Sequence, residues 1–413
     1  MGDPLAQLED DCGGHAAEAD SSDAVDGVAA QWVARPADEA ETAAVLRTCA
    51  EGGLAVVTRG AGTKLGWGLP PRRVDVVLDT TRMDRLVEHA AGDLVVVAGA
   101  GRRLGQVQAD LAEAGQRLSI DPPQDGTIGG TIASAATGPI RLAHGAVRDL
   151  VIGATFVLAD GTVAHSGGKV VKNVAGYDVA KLLTGSLGTL AVITQAAFRL
   201  HPEPHARAWV TAPVTGGDEA HRLTQAAVHS QTMPAALELD LATPREGTLC
   251  VQLEGVGPGV EQRAATMCGL LGPQAERFTE PPPWWGHEPF TAGDVELRLT
   301  HELGALDTLL QALESGQDAT GLAVRLRGSV GVGSVLAGVD ASADPGAVAA
   351  LVGELRGRAA DFGGSVVVRD APRAVKEAVD VWGPVSGLAL MRSVKDRFDP
   401  GARLSPGRFV GGI

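Results

Sequence analysis

Glycine-rich loops recur in the first half of the chain, and they restrict the folds open to it. The first loop, residues 56–64, is an apolar strand pattern that runs into Gly60-Ala61-Gly62. The second spans residues 121–131 and precedes a run of small side chains, and the third, residues 185–194, feeds a very apolar strand pattern. Glycine lets the backbone turn tightly and lie directly against another group. Three such loops in one region indicate a site where a ligand meets backbone N–H groups.

Length and charge exclude several classes of protein. The chain has 413 residues, enough for two or three folded units, and its 45% hydrophobic and 21% charged residues are typical of a globular protein. Its net charge of −15 argues against a nucleic-acid partner. No stretch approaches the roughly 18 apolar residues of a membrane span, and the acidic N-terminus lacks the features of a signal peptide. We therefore expect a cytoplasmic protein, with any contact to the inner membrane made through partner subunits.

The pattern along the chain predicts four segments. Residues 1–22 are acidic and poor in apolar clusters, which predicts a mobile tail. Strand and helix patterns alternate through residues 23–202 and predict a first folded domain. Composition shifts near residues 200–204, and residues 203–378 predict a separate α+β domain without a cofactor motif. Residues 379–413 predict a closing helix, ended by Asp399-Pro400-Gly401, and a Gly/Pro tail.

Residues 94–105 imitate a dinucleotide-binding fingerprint. An apolar strand pattern leads into glycines and a helix pattern, and Asp121 stands where the ribose-binding acid is expected. A nicotinamide-linked dehydrogenase is therefore one alternative. Against it, Asp121 runs into two prolines and a glycine loop instead of a further crossover helix.

Rare residue types are concentrated near residues 169–181. The only asparagine, Asn173, and the only tyrosine, Tyr177, lie there. Four of the six lysines lie in or beside the glycine-rich segments, at Lys64, Lys169, Lys172 and Lys181. This concentration indicates a segment that faces a ligand needing hydrogen-bond donors and positive charge, with capping of a helix by Asn173 as the alternative.

In their order and spacing these motifs resemble the FAD-binding domain of the vanillyl-alcohol oxidase superfamily. The resemblance covers about residues 28–202 and the closing segment 398–408. Within the superfamily the chain is similar to the second FAD-binding subunit of bacterial glycolate oxidase. The resemblance implies an α+β fold: a PCMH-type FAD-binding domain of two subdomains, an α+β cap domain, and a C-terminal segment that returns to the FAD domain.

The resemblance also implies where FAD lies. The pyrophosphate would rest on the first loop and on residues 128–130, and the flavin would lie near Gly138, Ile193 and the closing segment. No His or Cys stands at the positions that carry a covalent link in related proteins, so FAD is expected to be bound non-covalently. The implied FAD-binding residues are Arg59, Gly60, Ala61, Gly62, Thr63, Lys64, Pro122, Thr127, Ile128, Gly129, Gly130, Ser134, Gly138, Gly145, Asn173, Ile193 and Ser405.

The activity implied is oxidation of glycolate to glyoxylate, with electrons passed to an iron–sulfur partner subunit beside a catalytic flavin subunit. Leu187 stands where catalytic subunits have glutamate, and a single asparagine cannot supply their metal-holding cap motif, so no metal is expected. Candidate bases are His287 and His301, and no catalytic residue is assigned. The Pro-rich run ending at Trp284-Trp285 predicts a packed or partner-facing loop, or the mouth of the cap. The alternative is a self-sufficient flavin oxidoreductase acting on another 2-hydroxy acid or alcohol.

Overall fold

The computed structural model describes residues 3–168 and 177–413 of the chain. Asn173, Lys169 and Lys172 therefore lie outside the described residues. The remaining residues form two neighbouring subdomains, a larger cap, and a C-terminal segment that packs back on the first subdomain. No described helix is both long and apolar enough to cross a membrane.

The first subdomain has a four-stranded sheet in the order β1-β2-β4-β3, with β4 parallel to both β2 and β3. Helix α2 begins at Asp38, whose carboxylate accepts the N–H groups of Ala40 and Glu41 at 2.9 Å, and ends at the left-handed Gly53. The elements are α1 (Pro4–Asp11), β1 (Ala16–Glu18), β2 (Trp32–Ala34), α2 (Glu39–Gly52), β3 (Val56–Arg59) and β4 (Val76–Asp79).

Residues 3–22 are folded onto this subdomain, so the prediction of a mobile tail is wrong for the described part. Leu8 and Cys12 on α1 are fully buried against α2, and β1 pairs with β2. Thr48 on α2 donates a hydrogen bond to Asp11 at 2.5 Å. The few apolar side chains of α1 are spaced one helical turn apart and face inward, while the acidic ones face solvent. The many acidic residues of this segment made its apolar spacing difficult to recognise in the sequence.

The second subdomain is a five-stranded antiparallel sheet in the order β5-β6-β10-β8-β9. Because β6 pairs antiparallel with both neighbours, the dinucleotide-fold alternative for residues 94–105 is wrong: that fold needs a parallel β-α-β unit. The elements are β5 (Leu86–Ala90), β6 (Val95–Gly99), α3 (Leu104–Ala112), β7 (Gln116–Arg117), α4 (Ile128–Ala133), α5 (Arg141–His144), α6 (Val147–Leu150), β8 (Val151–Val157), β9 (Val163–Gly167), α7 (Val179–Leu183), β10 (Val192–Arg199) and β11 (His201–Pro202), with β11 paired to β7.

The cap is an eight-stranded antiparallel sheet covered on one face by helices. Its strand order is β15-β12-β14-β13-β17-β18-β16-β19. The elements are β12 (Ala206–Thr215), α8 (Gly217–Val228), β13 (Ala236–Thr243), β14 (Glu246–Gly255), α9 (Gly257–Leu271), β15 (Glu276–Phe278), β16 (Val295–Thr300), α10 (Leu306–Thr320), β17 (Arg325–Ser329), β18 (Ser334–Val339), α11 (Pro345–Gly357), β19 (Ser365–Asp370) and α12 (Arg373–Ala378).

Strict alternation along the cap strands separates two faces. Leu237, Leu239 and Leu297 point into the hydrophobic core under α8 to α11. The residues between them, Glu238 and Arg298 among them, therefore face away from the helices and toward the FAD-binding half. The cap thus presents a polar sheet face to the rest of the molecule.

The C-terminal segment closes the structure through α13 (Leu388–Phe398) and the tail. Lys395 is buried and donates to Asp399 at 2.7 Å, to the carbonyl of Thr189 at 2.7 Å and to that of Leu404 at 3.0 Å. Ser405 N–H then donates to the carbonyl of Val56 at 2.8 Å, beside β3. The predicted α+β class, with two subdomains, a cap and a returning C-terminal segment, is confirmed.

Candidate flavin and substrate site

Two adjoining cavities lie at the glycine-rich loops, and the larger of them is also lined by the cap. The smaller, about 90 Å³, is enclosed by the first loop, the segment 126–134 and the segment 187–193. The larger, about 310 Å³, lies between residues 134–148 and the polar face of the cap sheet. Lys64 and Ser134 line both cavities, so a ligand in one can reach the other.

The first loop presents unused backbone donors. The N–H groups of Ala61, Gly62, Thr63 and Lys64 donate to no acceptor among the residues that the structure describes. Gly62 has a positive φ of 77°, which turns the loop back on itself. A Cβ on Gly60 would lie 2.1 Å from Thr127 Oγ1, so only glycine fits there. Consecutive free N–H groups in a concave loop form a binding site for an anion such as a pyrophosphate.

The second loop contributes shape more than donors. The N–H groups of Ile128 and Gly129 donate to the carbonyls of Arg102 at 2.9 Å and Ala100 at 2.8 Å. Thr127 Oγ1 accepts the N–H of Gly130 at 3.3 Å. These N–H groups already form hydrogen bonds within the protein. Gly129 and Gly130 instead form a part of the cavity wall that carries no side chains.

Strained backbone is concentrated where the third loop meets the C-terminal tail. Ala135, Leu187 and Ser405 have positive φ of 51°, 50° and 45° although none is glycine. Leu187 N–H donates to the carbonyl of Ala133 at 2.8 Å, which holds the third loop against α4. Such conformations persist only where the surrounding structure enforces them, and they are typical of ligand-binding regions.

Most of the predicted FAD-binding residues are brought together. Those that line the smaller cavity are Gly60, Ala61, Gly62, Thr63, Lys64, Thr127, Gly129, Gly130, Ser134 and Ile193. Pro122 and Gly138 line the larger cavity.

Four predicted residues line neither cavity. Arg59 pairs with Asp23 at 2.7 Å and Asp79 at 2.9 Å, so its guanidinium braces the first subdomain. Ile128 is a core side chain and Ser405 is buried beneath the third loop. Gly145, with a φ of 81°, terminates α5. The prediction for Asn173 lies outside the described residues.

The sequence reasoning missed several side chains of the smaller cavity, among them Thr58, Leu187 and Arg408. Thr58 Oγ1 is buried and has no hydrogen-bond partner among the described residues. Leu187 contributes an apolar wall. Arg408 is buried, donates to the carbonyl of Trp67 at 2.9 Å, and has its pKa lowered to about 10 by burial. Thr58 lies within the first loop and Arg408 ends the closing segment, but neither was predicted to contact FAD.

The four cysteines do not line the two cavities. Cys12, Cys49 and Cys250 are buried, Cys268 is half-buried, and all four are free thiols. Burial raises the pKa of Cys49 to about 12, so that thiol stays protonated. Across residues 3–168 and 177–413, no three His, Cys, Asp or Glu side chains are grouped to bind a metal ion.

The larger cavity is lined by charged side chains from neighbouring cap strands. Strand register places Arg327 opposite Asp240 and Leu336, and Arg298 opposite Leu336, so one row crosses four strands. Arg327 Nε binds Asp240 at 2.7 Å, and Arg369 Nη2 lies 2.9 Å from Glu296. These two arginines are therefore neutralised by the cap itself.

Arg141 and Arg298 differ from them because neither has a carboxylate partner among the described residues. The nearest polar contact of Arg141 is Thr137 Oγ1 at 3.5 Å. Burial lowers the pKa of both guanidinium groups, and the charges of Arg369 and Arg141 lower that of Arg298 further. Two cations that repel each other, line one cavity and have no carboxylate partner among the described residues indicate a site for an anionic ligand.

Glu238 lies in the same cavity with only 6% of its surface exposed. Ser329, directly opposite on β17, donates a hydrogen bond to its carboxylate. Burial, with a further contribution from the charge of Asp121, raises the pKa of Glu238 to about 8. Burial likewise raises the pKa of Asp121 to about 7. Glu238 can thus exchange a proton near neutral pH.

The two histidines proposed as bases occupy different environments. His287 is exposed at the mouth of the larger cavity, where its carbonyl accepts Arg327 Nη1 at 3.0 Å. His301 is buried away from both cavities, its Nδ1 lies 2.8 Å from the carbonyl of Glu302, and burial lowers its pKa. His301 is therefore not placed to act on a ligand. Trp284 lines the cavity and packs over Arg327, so its loop forms part of the mouth.

Comparisons with known proteins agree with this geometry. A family profile described as an FAD binding domain matches residues 30–167. A D-lactate dehydrogenase of Archaeoglobus fulgidus is 38% identical over 210 residues, which is 50% of this chain and 46% of that protein. An uncharacterized FAD-linked oxidoreductase of Mycobacterium tuberculosis is 27% identical over 92% of this chain and 91% of its own length. The glycolate oxidase subunit GlcE of Escherichia coli is 36% identical over 37% of this chain and 43% of that subunit.

The solved structures support the fold. An alkyldihydroxyacetonephosphate synthase superposes with a TM-score of 0.70 at 15% identity, over 92% of this chain and 76% of that one. The chain thus carries a PCMH-type FAD-binding fold, and FAD is its cofactor. The residues present fit this group. Among the described residues the N–H groups of the first loop and Thr58 Oγ1 have no hydrogen-bond partner, and a Cβ at Gly60 would collide with Thr127. The chain spans about half of the D-lactate dehydrogenase it matches.

Proposed function

We propose that the chain is an FAD-dependent oxidoreductase that oxidises a small 2-hydroxy acid. The observation that carries this proposal is the pair of unpartnered guanidinium groups, Arg141 and Arg298, in a cavity continuous with the FAD loops. Oxidation of a hydroxy acid requires cations to hold the carboxylate, a base to take the hydroxyl proton, and the α-hydrogen directed at the oxidant. The larger cavity supplies the first two requirements and adjoins the third.

In this proposal FAD is held non-covalently by the first loop. The N–H groups of residues 61–64 bind the pyrophosphate, Thr58 supplies a hydroxyl, and Ile193 and Leu187 give apolar walls. Bound FAD would supply the two-electron oxidation. The cap would exclude bulk water from the larger cavity, and Arg141 and Arg298 would orient the acid there.

The finer proposal is oxidation of glycolate to glyoxylate by this chain as a flavin subunit of a glycolate oxidase complex. Its partners would be a catalytic flavin subunit and an iron–sulfur subunit that receives the electrons. Similarity to a glycolate oxidase subunit over 37% of this chain supports this assignment. Leu187, in place of a glutamate, supports a division of labour between two flavin subunits.

A second candidate is a self-sufficient oxidoreductase acting on another 2-hydroxy acid or alcohol. The larger cavity favours it, because its cationic and acidic groups all come from this one chain. The similarity to an FAD-linked oxidoreductase over almost the full length of both proteins also favours it.

The test is anaerobic bleaching of the flavin bands by a panel of hydroxy acids of increasing size, beginning with glycolate and lactate. Bleaching by any of them supports the proposed chemistry, and none by any of them contradicts it. Turnover by the isolated chain with an artificial electron acceptor then separates the two candidates. A chain that turns over alone is self-sufficient, whereas one that requires its partner subunits belongs to the complex.

A further inference from the structure

We propose that Glu238 is the group that removes the hydroxyl proton of the substrate, with Ser329 holding its carboxylate in position. This inference deepens the proposed function and rests on it. No motif marks Glu238 in the sequence, and the site depends on the register of the cap strands.

Position supports this role first. Glu238 projects from the polar face of β13 into the larger cavity. The start of β13 is tied to α5, since Ala143 N–H donates to the carbonyl of Ala235 at 3.3 Å. Helix α5 directly follows Gly138, which lines the same cavity beside the FAD loops. Glu238 thus lies where the cap meets the FAD-binding half.

The neighbours of Glu238 indicate that it acts on the hydroxyl group of the substrate, while the two arginines bind its carboxylate. Arg141 interacts electrostatically with both Glu238 and Arg298, and all three side chains line the larger cavity. A hydroxy acid whose carboxylate binds the two arginines presents its hydroxyl to the remaining wall, where Glu238 stands. Glu288, the other acid of this cavity, is already paired with Arg369.

Groups from every element around Glu238 set its proton affinity. Burial and the charge of Asp121 favour the protonated form, while the hydrogen bond from Ser329 and the charges of Arg141 and Arg327 favour the ionised form. The balance leaves the pKa of Glu238 at about 8, close to that of an efficient general base at neutral pH. The groups concerned are Asp121 after β7, Arg141 on α5, Cys250 on β14, and Arg327 and Ser329 on β17.

The proton and electron balance of the step is complete. The O–H bond of the substrate breaks and its proton passes to a carboxylate oxygen of Glu238. The carbon–oxygen bond becomes a carbonyl as the α-hydrogen leaves with its electron pair, and the oxidant is the bound flavin. Glu238 then returns its proton to solvent through the mouth of the cavity.

The test compares the holoprotein with Glu238→Gln, which keeps the size of the side chain and removes its charge. We expect the anaerobic rate of flavin bleaching to rise about tenfold per pH unit below the pKa of Glu238 and to level off above it. In E238Q the rate should fall by about 100-fold or more, and this rise should disappear. Glu276→Gln, at an exposed site on β15, is the matched control and should behave as wild type.

Ser329→Ala provides a second variant that retains the base. Without the donated hydrogen bond the ionised form of Glu238 is less stable, so the pH profile should move upward by about one unit. A signature independent of turnover is the infrared band of a protonated carboxyl group. In wild type a component should disappear with a pKa of about 8, and E238Q should lack that component.

The outcomes are distinguishable. If wild type is bleached and E238Q retains its rate and pH profile, Glu238 is not the base, and the proposed function stands. Loss of the pH dependence in His287→Gln, with E238Q unchanged, would assign the role to His287 and overturn this proposal. If no hydroxy acid bleaches wild type, the proposed function fails and the role of Glu238 fails with it.

Discussion

The two cavities of the candidate site are built by different means. The smaller one is made of backbone: free N–H groups at residues 61–64 and glycines at positions where a side chain would collide. The larger one is made of side chains that reach inward from separate strands, namely Arg298, Glu238 and their neighbours. Adding side-chain atoms at the glycine positions should therefore disturb the smaller cavity, whereas removing charged side chains should disturb the larger one. Each of the following predictions uses that contrast.

Gly60→Ala should have the largest effect of these substitutions, and it should weaken the binding of FAD alone. The new Cβ would lie 2.1 Å from Thr127 Oγ1, so the two loops must separate. Overpacking of this kind destabilises a site by about 1–3 kcal/mol, which corresponds to a loss of FAD affinity of up to about 100-fold. Affinity is measured by titrating the apoprotein with FAD and following flavin fluorescence.

The double variant Gly60→Ala/Thr127→Ala should recover part of that affinity, because the colliding hydroxyl is gone. Gly353→Ala is the control, since a Cβ there meets nothing within 4 Å. A wild-type affinity in Gly60→Ala would show that the first loop does not enclose the cofactor.

Arg298→Ala should act on the acid and leave FAD in place. Loss of a charge-assisted contact to a carboxylate is worth about 1.5–3 kcal/mol, so binding of oxalate should weaken about 10- to 100-fold. Oxalate binding is followed by the change it causes in the flavin spectrum. Arg222→Ala, at a surface site on α8, is the matched control. Equal affinity in wild type and Arg298→Ala would remove this arginine from the anion site.

FAD should leave the protein on heat denaturation. None of the cysteines lines a cavity, and the first loop holds its ligand by hydrogen bonds alone. After precipitation, we expect the flavin absorbance in the supernatant. Absorbance that stays with the pellet would establish a covalent link and contradict the account of the first loop.

Much of the smaller cavity could be predicted from the sequence, and most of the larger one could not. The glycines of each loop lie close together in the sequence, so each loop can be recognised there as a motif. Arg141, Glu238 and Arg298 are far apart along the chain. The register of the cap strands places Glu238 and Arg298 on one face of the sheet, and Arg141 lines the same cavity from α5. The sequences of β13 and β16 do show charged residues alternating with buried leucines. Alternation predicts which face of the sheet a residue lies on, but not which residues of other strands lie beside it. Helix α1 was missed for a related reason, because its acidic face outweighs its short apolar stripe.

The smallest expected effect concerns stability against pH, and it comes from buried acids in the larger cavity and elsewhere in the protein. The pKa values of Asp121, Glu238 and Glu296 are raised to about 7, 8 and 7 by burial. Groups raised above their unfolded values stabilise the fold fully at low pH, and that contribution is lost as the pH rises through about 7 to 8. Glu254, with its pKa lowered from 4.5 to about 2, acts in the opposite sense: its contribution is present above pH 4.5 and is lost as the pH falls from there through about 2.

We therefore expect the melting temperature to fall by a few degrees between about pH 6 and pH 9, and to fall less in Glu238→Gln. The measurement is differential scanning calorimetry of the holoprotein at fixed ionic strength. An identical pH dependence in the variant would show that Glu238 ionises as freely in the folded chain as in the unfolded one.

The most direct test of the two-cavity account is a crystal structure of the yellow protein with oxalate bound. The account predicts the FAD pyrophosphate against the N–H groups of residues 61–64, and a carboxylate of oxalate within hydrogen-bond distance of Arg141 and Arg298. FAD bound away from the first loop, or oxalate bound with both arginines untouched, would contradict it.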